Sequence, residues 1–177
     1  MKTFGSLVLC VLGGPWTAGL FAQDLIPTIS SVINAASYAS GSIAPGEVIA
    51  ILGSGLGPDT PIVAIPDSSG VIPLALGDTT VYFDGTPVPV LSASATKVIA
   101  LVPYGVSVQA STSLRVGYQG VTSDAMTLQI APAAPGLYTA DGSGMGQARI
   151  LNVADPLSNP AALGSTITIL ITGGWSD

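Results

Sequence analysis

Histidine is absent from the 177 residues, and cysteine occurs once, as Cys10. The first absence removes Ser-His-Asp and Cys-His nucleophilic sites, imidazole acid–base chemistry and most zinc sites. The second removes disulfide staples and thiolate metal clusters, so stability has to come from a packed core. Charge is scarce as well. Lys and Arg number 4 against 10 Asp and Glu, and past the amino terminus only Lys97, Arg115 and Arg149 are basic. That leaves no footprint for nucleic acid or for anionic lipid. A convincing amphipathic helical pattern is also missing, which turns attention to strands.

At the amino terminus, Lys2, the apolar run Phe4 to Leu12, the break Gly13-Gly14-Pro15 and a cleavage point at Phe21-Ala22-Gln23 have the form of a secretory signal over residues 1–22. Leu20 stands where a small residue is preferred before the cut, and an uncleaved anchor is the competing reading. The short, Gly/Pro-broken apolar run favours cleavage near Ala22 and a mature chain without a membrane span. Cys10 lies inside this leader behind Leu9, the wrong context for lipidation. The remainder, about 150 residues, is enough for one domain with a proper core, or one domain and a fragment.

From Ile26 to Ile130, short runs of Val, Ile, Thr and Tyr are punctuated by Gly, Pro, Asp and Ser, the pattern of strands joined by turns. Strands are expected at Val48 to Leu52, ended by Gly53, at Thr79 to Phe83, returning through the Asp84-Gly85 turn over Val88 to Leu91, and at Lys97 to Val102. Two more are expected at Ser113 to Tyr118 and Ala125 to Ile130, with Gln119-Gly120 turning between them. This spacing predicts a sandwich or barrel. The Pro-rich run Ala131 to Gly136 reads as a connector, and Gln147 to Asn152 and Thr166 to Thr172 as two further strands. Two strands rarely stand alone. Thr166 to Thr172 therefore either completes a sheet of the first domain or offers an edge for strand pairing with another chain.

One segment occurs twice. Ala44-Pro45-Gly46-Glu47-Val48-Ile49-Ala50-Ile51-Leu52-Gly53-Ser54-Gly55 returns as Ala162-Leu163-Gly164-Ser165-Thr166-Ile167-Thr168-Ile169-Leu170-Ile171-Thr172-Gly173. The second copy is followed by four residues, so a second unit is expected to be started and truncated.

The order Pro27-Thr28-Ile29-Ser30-Ser31-Val32, Pro45-Gly46-Glu47-Val48-Ile49, Gly53-Ser54-Gly55-Leu56-Gly57, Val81-Tyr82-Phe83-Asp84-Gly85 and Thr96-Lys97-Val98-Ile99 resembles an IPT/TIG immunoglobulin-like domain. Val32-Ile33-Asn34-Ala35-Ala36-Ser37-Tyr38, Val102-Pro103-Tyr104, Ala131 to Thr139 and Asn159 to Ser165 are similar to the uncharacterised Solibacter-type carboxy-terminal domain of secreted bacterial proteins. The resemblance implies an all-β, immunoglobulin-like β-sandwich over 25–131, a Pro/Gly-rich linker over 132–146 and an incomplete second β unit over 147–177. It implies a spacer or interaction role and supplies no catalytic residue.

Chemistry would have to rest on carboxylates, as a glycosidase-like pair held about 5 to 10 Å apart. Glu47, Asp59, Asp67, Asp78, Asp84, Asp124, Asp141 and Asp155, with Asp24 and Asp177 near the ends, are the candidates, and most read as solvated turn residues. Gly53 to Gly57 lacks the helix that a dinucleotide loop needs, and reads as a bulge or strand-end loop. Asp141-Gly142-Ser143-Gly144-Met145-Gly146 has one carboxylate, too few for calcium. Lys97 with Ser94 is a weak base–nucleophile pair beside the plainer reading of a solvent-facing strand charge. Tyr38, Tyr104, Tyr138 and Trp175 are the aromatic candidates, and Tyr38, Tyr104 and Tyr138 form the candidate ligand-binding set, since each offers a flat apolar ring with a polar edge.

Neither a metal nor a cofactor is expected. The reading is a secreted or periplasmic, non-enzymatic structural or interaction module with a protein or glycan partner at the cell surface. The alternative is a carbohydrate- or surface-binding adhesion module that uses exposed tyrosines.

Overall fold

Thr79, Val81 and Phe83 are buried and Thr80 and Tyr82 half-buried, the period of two that a strand with one face on a core requires. This strand sits in the second of the two antiparallel sheets that form the sandwich; a separate two-stranded sheet follows them. The computed structural model describes residues 26–151 and 161–174. The leader expected over 1–22, with Asn152, Asp155, Asn159-Pro160 and Trp175, lies outside the described residues.

In chain order the strands are β1 (Thr28–Asn34), β2 (Val48–Ser54), β3 (Ile62–Val63), β4 (Ala75–Leu76), β5 (Thr79–Phe83), β6 (Thr86–Val88), β7 (Val90–Ala93), β8 (Lys97–Leu101), β9 (Ser111–Tyr118), β10 (Val121–Thr122), β11 (Met126–Gln129), β12 (Gly136–Leu137) and β13 (Ile171–Thr172). The first sheet runs β1-β2-β8-β7-β3. In the second, β9 pairs with β5 on one edge and with β10 and β11 on the other, while β4 and β6 share the far edge of β5. The sheets enclose one core, to which Ile49, Ile51 and Val98 contribute from the first and Val81, Phe83, Leu114 and Val116 from the second. The chain is therefore all-β in its described residues, an immunoglobulin-like sandwich. A single 3-10 turn at Tyr104–Val108 is its one helical element there.

Three tight hairpins shape the second sheet. Gly77-Asp78, Asp84-Gly85 and Gln119-Gly120 each place two successive residues at positive φ, the geometry whose twist matches paired strands. Asp84 fixes its turn further. Its carboxylate accepts from the Thr112 hydroxyl at 2.7 Å and the Ser113 N–H at 2.9 Å, and these bonds hold its pKa below the usual carboxylate value.

The expected return strand Val88 to Leu91 is corrected. The return on β5 is Thr86–Val88, and after Pro89 the chain leaves for the first sheet as β7. Proline lacks the donor that would continue the ladder, and its carbonyl takes the Leu101 N–H of the other sheet at 3.1 Å. β2 also runs past Gly53 to Ser54. A β-bulge sits opposite it, between Ile29 and Ser31 of β1.

Between β10 and β11 the ladder is carried by a side chain. Ser123 donates its N–H to the Val116 carbonyl at 2.8 Å and accepts the Val116 N–H on its hydroxyl at 3.0 Å. Ser123→Ala is expected to cost about 1–3 kcal/mol, because the Val116 N–H stays buried without an acceptor; urea denaturation of both proteins reads the difference.

The tail departs from the expected strands. Among the described residues, the spans expected as strands over Gln147 to Asn152 and Thr166 to Thr172 give isolated bridges, Thr139 with Ala148 and Ile150 with Ile169, and Ile171–Thr172 pairs as a strand with Gly136–Leu137. The sequence repeat nevertheless has a structural counterpart. The Glu47 N–H donates to Ala44 O at 3.1 Å and the Ser165 N–H to Ala162 O at 3.0 Å, around glycines at φ 71 and 82. The closing glycines, Gly55 and Gly173, also match at φ 64 and 66.

Candidate functional site

Strand β1 ends with Val32-Ile33-Asn34, and Asn34 organises one end of the sandwich. Asn34 accepts the Ala36 N–H (2.9 Å) and the Ser37 N–H (3.0 Å) on Oδ1, which fixes the amide orientation. Its Nδ2 is thereby aimed inward, donating to Glu47 Oε1 at 2.8 Å and to the Ala134 carbonyl at 3.2 Å. The same turn carries the chain to Tyr38, at φ 57, whose N–H returns to Asn34 O.

Glu47 closes the Ala44–Glu47 turn, in which Pro45 presets the first central residue and Gly46 supplies the positive φ of the second. Its Oε2 accepts the Ala44 N–H at 2.7 Å. The residue is 1% exposed, which corrects its reading as a solvated turn acid. Burial pushes the Glu47 carboxyl above the usual range, while the Ala44 N–H and the Asn34 amide pull it back in part.

The Pro-rich connector and the tail meet here as well. The Ala134 N–H donates to Gly173 O at 2.9 Å, and the Val48 N–H to Thr172 Oγ1 at 2.6 Å. A groove of about 180 Å³ opens beside this joint, lined by Asn34, Ser37, Ser40, Ser42, Glu47 and Pro135. A second cavity of about 310 Å³ lies at Ile26, Pro27 and Met126.

The three candidate tyrosines are placed unevenly. Tyr38 is 49% exposed and Tyr138 half-buried. Burial raises the Tyr138 pKa, with a smaller contribution from Tyr38; Tyr38 itself lies against Gly144, where an added Cβ would stand 2.6 Å from its ring. Tyr104, 64% exposed, instead lays its ring over Gly46, where an added Cβ would stand 2.7 Å from the Tyr104 hydroxyl oxygen.

The other candidates resolve into structural roles. Leu56 of the Gly-rich loop is fully buried, its N–H on Ala95 O, and the Thr79 hydroxyl donates to its carbonyl at 3.1 Å; the loop anchors the core. Ser94 Oγ bonds the backbone of Lys97 in both directions, so the hydroxyl holds a turn. Asp141 Oδ1 accepts the Ser143 N–H and hydroxyl, an Asx turn. Among the described residues no group of three acidic, cysteine or histidine side chains is arranged to hold a metal ion. No described helix is long and apolar enough to cross a membrane.

Asn34 was named in the sequence only within a motif. A signal was present, however: a Pro-Gly-acid turn ahead of the apolar strand β2. Chemically, the joint holds one buried carboxyl with amide donors and, among the described residues, no second carboxylate or cation recorded against it. That is the chemistry of a structural hub able to bind a proton.

A family model described as IPT/TIG domain matches residues 27–130. No curated protein matches the chain.

Proposed function

From the finding that the chain belongs to the IPT/TIG domain family, we propose that it works outside the cytoplasm as a non-enzymatic structural or interaction module. The family domain is immunoglobulin-like, and such domains mediate protein interactions. The observation that carries the non-enzymatic reading is the use made of Glu47: the one buried carboxyl among the described residues is spent on Asn34 and Ala44, inside the fold.

The proposal includes a leader over 1–22 cleaved near Ala22, the sandwich over 25–131, a linker over 132–146 and the opening of a second β unit over 147–177. The matched turns at Ala44–Glu47 and Ala162–Ser165 support the last of these. The proposal extends to the narrower resemblance to the Solibacter-type domain of secreted bacterial proteins, carried by Val32 to Tyr38, Ala131 to Thr139 and Asn159 to Ser165 in the sequence, with a protein partner at the cell surface.

A second reading, adhesion to a glycan or surface, is favoured by one observation: Tyr38 and Tyr104 are large aromatic side chains left exposed. One pair of experiments tests both. Expression of the full chain in a bacterial host, followed by fractionation and mass measurement, is expected to give a shortened product outside the cytoplasm. Full-length product in the cytoplasm overturns export. NMR titration with soluble oligosaccharides is then expected to leave the Tyr38, Tyr104 and Tyr138 rings unshifted; saturable shifts confined to those rings would establish the adhesion reading instead.

A further inference from the structure

Three segments distant in sequence converge on Glu47. At the start of the sandwich, β1 supplies the Asn34 amide and the Ala44–Glu47 turn supplies the Ala44 N–H. From the connector comes Ala134, held by the same Asn34 amide. From the tail comes Gly173, which lies directly on the Glu47 side chain: a Cβ added there would stand 3.2 Å from Glu47 Cγ and would collide with the Ala134 carbonyl. Thr172 pins the tail at the next residue through the Val48 N–H. The connector and tail thus form the cover over the carboxyl.

The groups that face this carboxyl are neutral. Asn34, Ala44, Ala134 and Gly173 do not titrate. Tyr104 is the titratable side chain that lies against its turn, over Gly46. A carboxylate under such a cover has two N–H donors and no countercharge, so ionisation is opposed by lost hydration. Opening the cover restores that hydration. Two states of one joint therefore differ in their affinity for a proton, which is the condition for linkage.

We propose that docking of the connector and tail on the sandwich is proton-linked through Glu47: the docked joint takes up a proton from solvent at the Glu47 carboxylate, and the joint opens as that proton is lost. The direction follows from the raised affinity. Docking is fully favoured below the ordinary carboxyl value and weakens as pH rises from there through the raised value of the docked state. A module of this kind holds its connector and tail more firmly below the ordinary carboxyl value than above the raised one.

The test uses the full chain, isotope-labelled, with the Glu47 side-chain carboxyl followed by NMR and amide exchange measured across the same pH series. Ala134 and Tyr138, whose N–H groups are held by Gly173 and Leu170, report docking, and Ile51 in the core serves as reference. Glu47 is expected to titrate above the other carboxyls. The protection factors of Ala134 and Tyr138 should fall relative to Ile51 by about tenfold per pH unit between the ordinary and the raised value, then level off. Constant relative protection across the Glu47 titration overturns the proposal.

A second arm reverses the linkage. Gly173→Ala puts a Cβ against Ala134 at φ 66 and opens the joint from the tail side. Glu47 is then expected to titrate closer to the other carboxyls while Ile51 keeps its protection. An unmoved Glu47 midpoint in a variant whose Ala134 amide has lost protection would show that the cover does not govern the proton.

Discussion

Asn34→Asp is expected to cost the fold about 3–5 kcal/mol at neutral pH, because it replaces the donor that faces a buried carboxylate by a second carboxylate. The substitution is nearly isosteric. One oxygen keeps the Ala36 and Ser37 N–H groups, while the other is turned against Glu47 Oε1 and the Ala134 carbonyl, both acceptors. Protonation of one acid of the pair relieves the clash, so most of the loss should return in mild acid. Urea denaturation at neutral pH and near pH 4, around the ordinary carboxyl value, checks both halves of the expectation. A loss equal at the two pH values would mean that shape, and not charge, makes Asn34 necessary. Against a typical domain stability of about 5–15 kcal/mol, the neutral-pH effect approaches unfolding.

Phe83→Ala is the second large effect, expected at about 3–5 kcal/mol. Phe83 is 2% exposed and is the largest of the fully buried side chains. It pairs with Leu114 across β9 and with Thr86 across the Asp84-Gly85 hairpin, and its ring fills the space between the two sheets. Truncation leaves a cavity that these backbones are too constrained to close. Denaturant midpoints should fall with little change in slope, and Phe83→Leu should recover most of the loss. A cost below about 1 kcal/mol would mean that the sheets can collapse onto each other, contrary to a rigid sandwich.

Period-two alternation and turn chemistry are local, and where they decide the structure it was legible. Thr79 to Phe83 is found with the bounds expected of it, as are the Asp84-Gly85 and Gln119-Gly120 turns. The Gly77-Asp78 hairpin was not foreseen, because the strand that enters it, Ala75–Leu76, is too short to show a period. The change of sheet at Pro89 was equally hidden. Val88 and Val90 alternate smoothly in sequence, and they are separated by the missing donor of Pro89 together with the bond its carbonyl takes from the Leu101 N–H. The candidate site illustrates the same limit. Tyrosines are conspicuous in a sequence with few aromatics, yet the residues that converge are Asn34, Glu47, Ala134 and Gly173, each unremarkable alone. Their meeting depends on a connector and a tail folding back, which no local pattern encodes.

The passage of one chain run from the second sheet to the first, as β6 gives way to β7, has a consequence for melting. Neither sheet can lose its strands without dragging on the other, since Val88 and Val90 belong to different ladders and are separated by a single proline. Heat should therefore find no intermediate in which one layer survives. Over residues 26–130 the calorimetric and van't Hoff enthalpies are expected to agree, with the sandwich behaving as one cooperative unit.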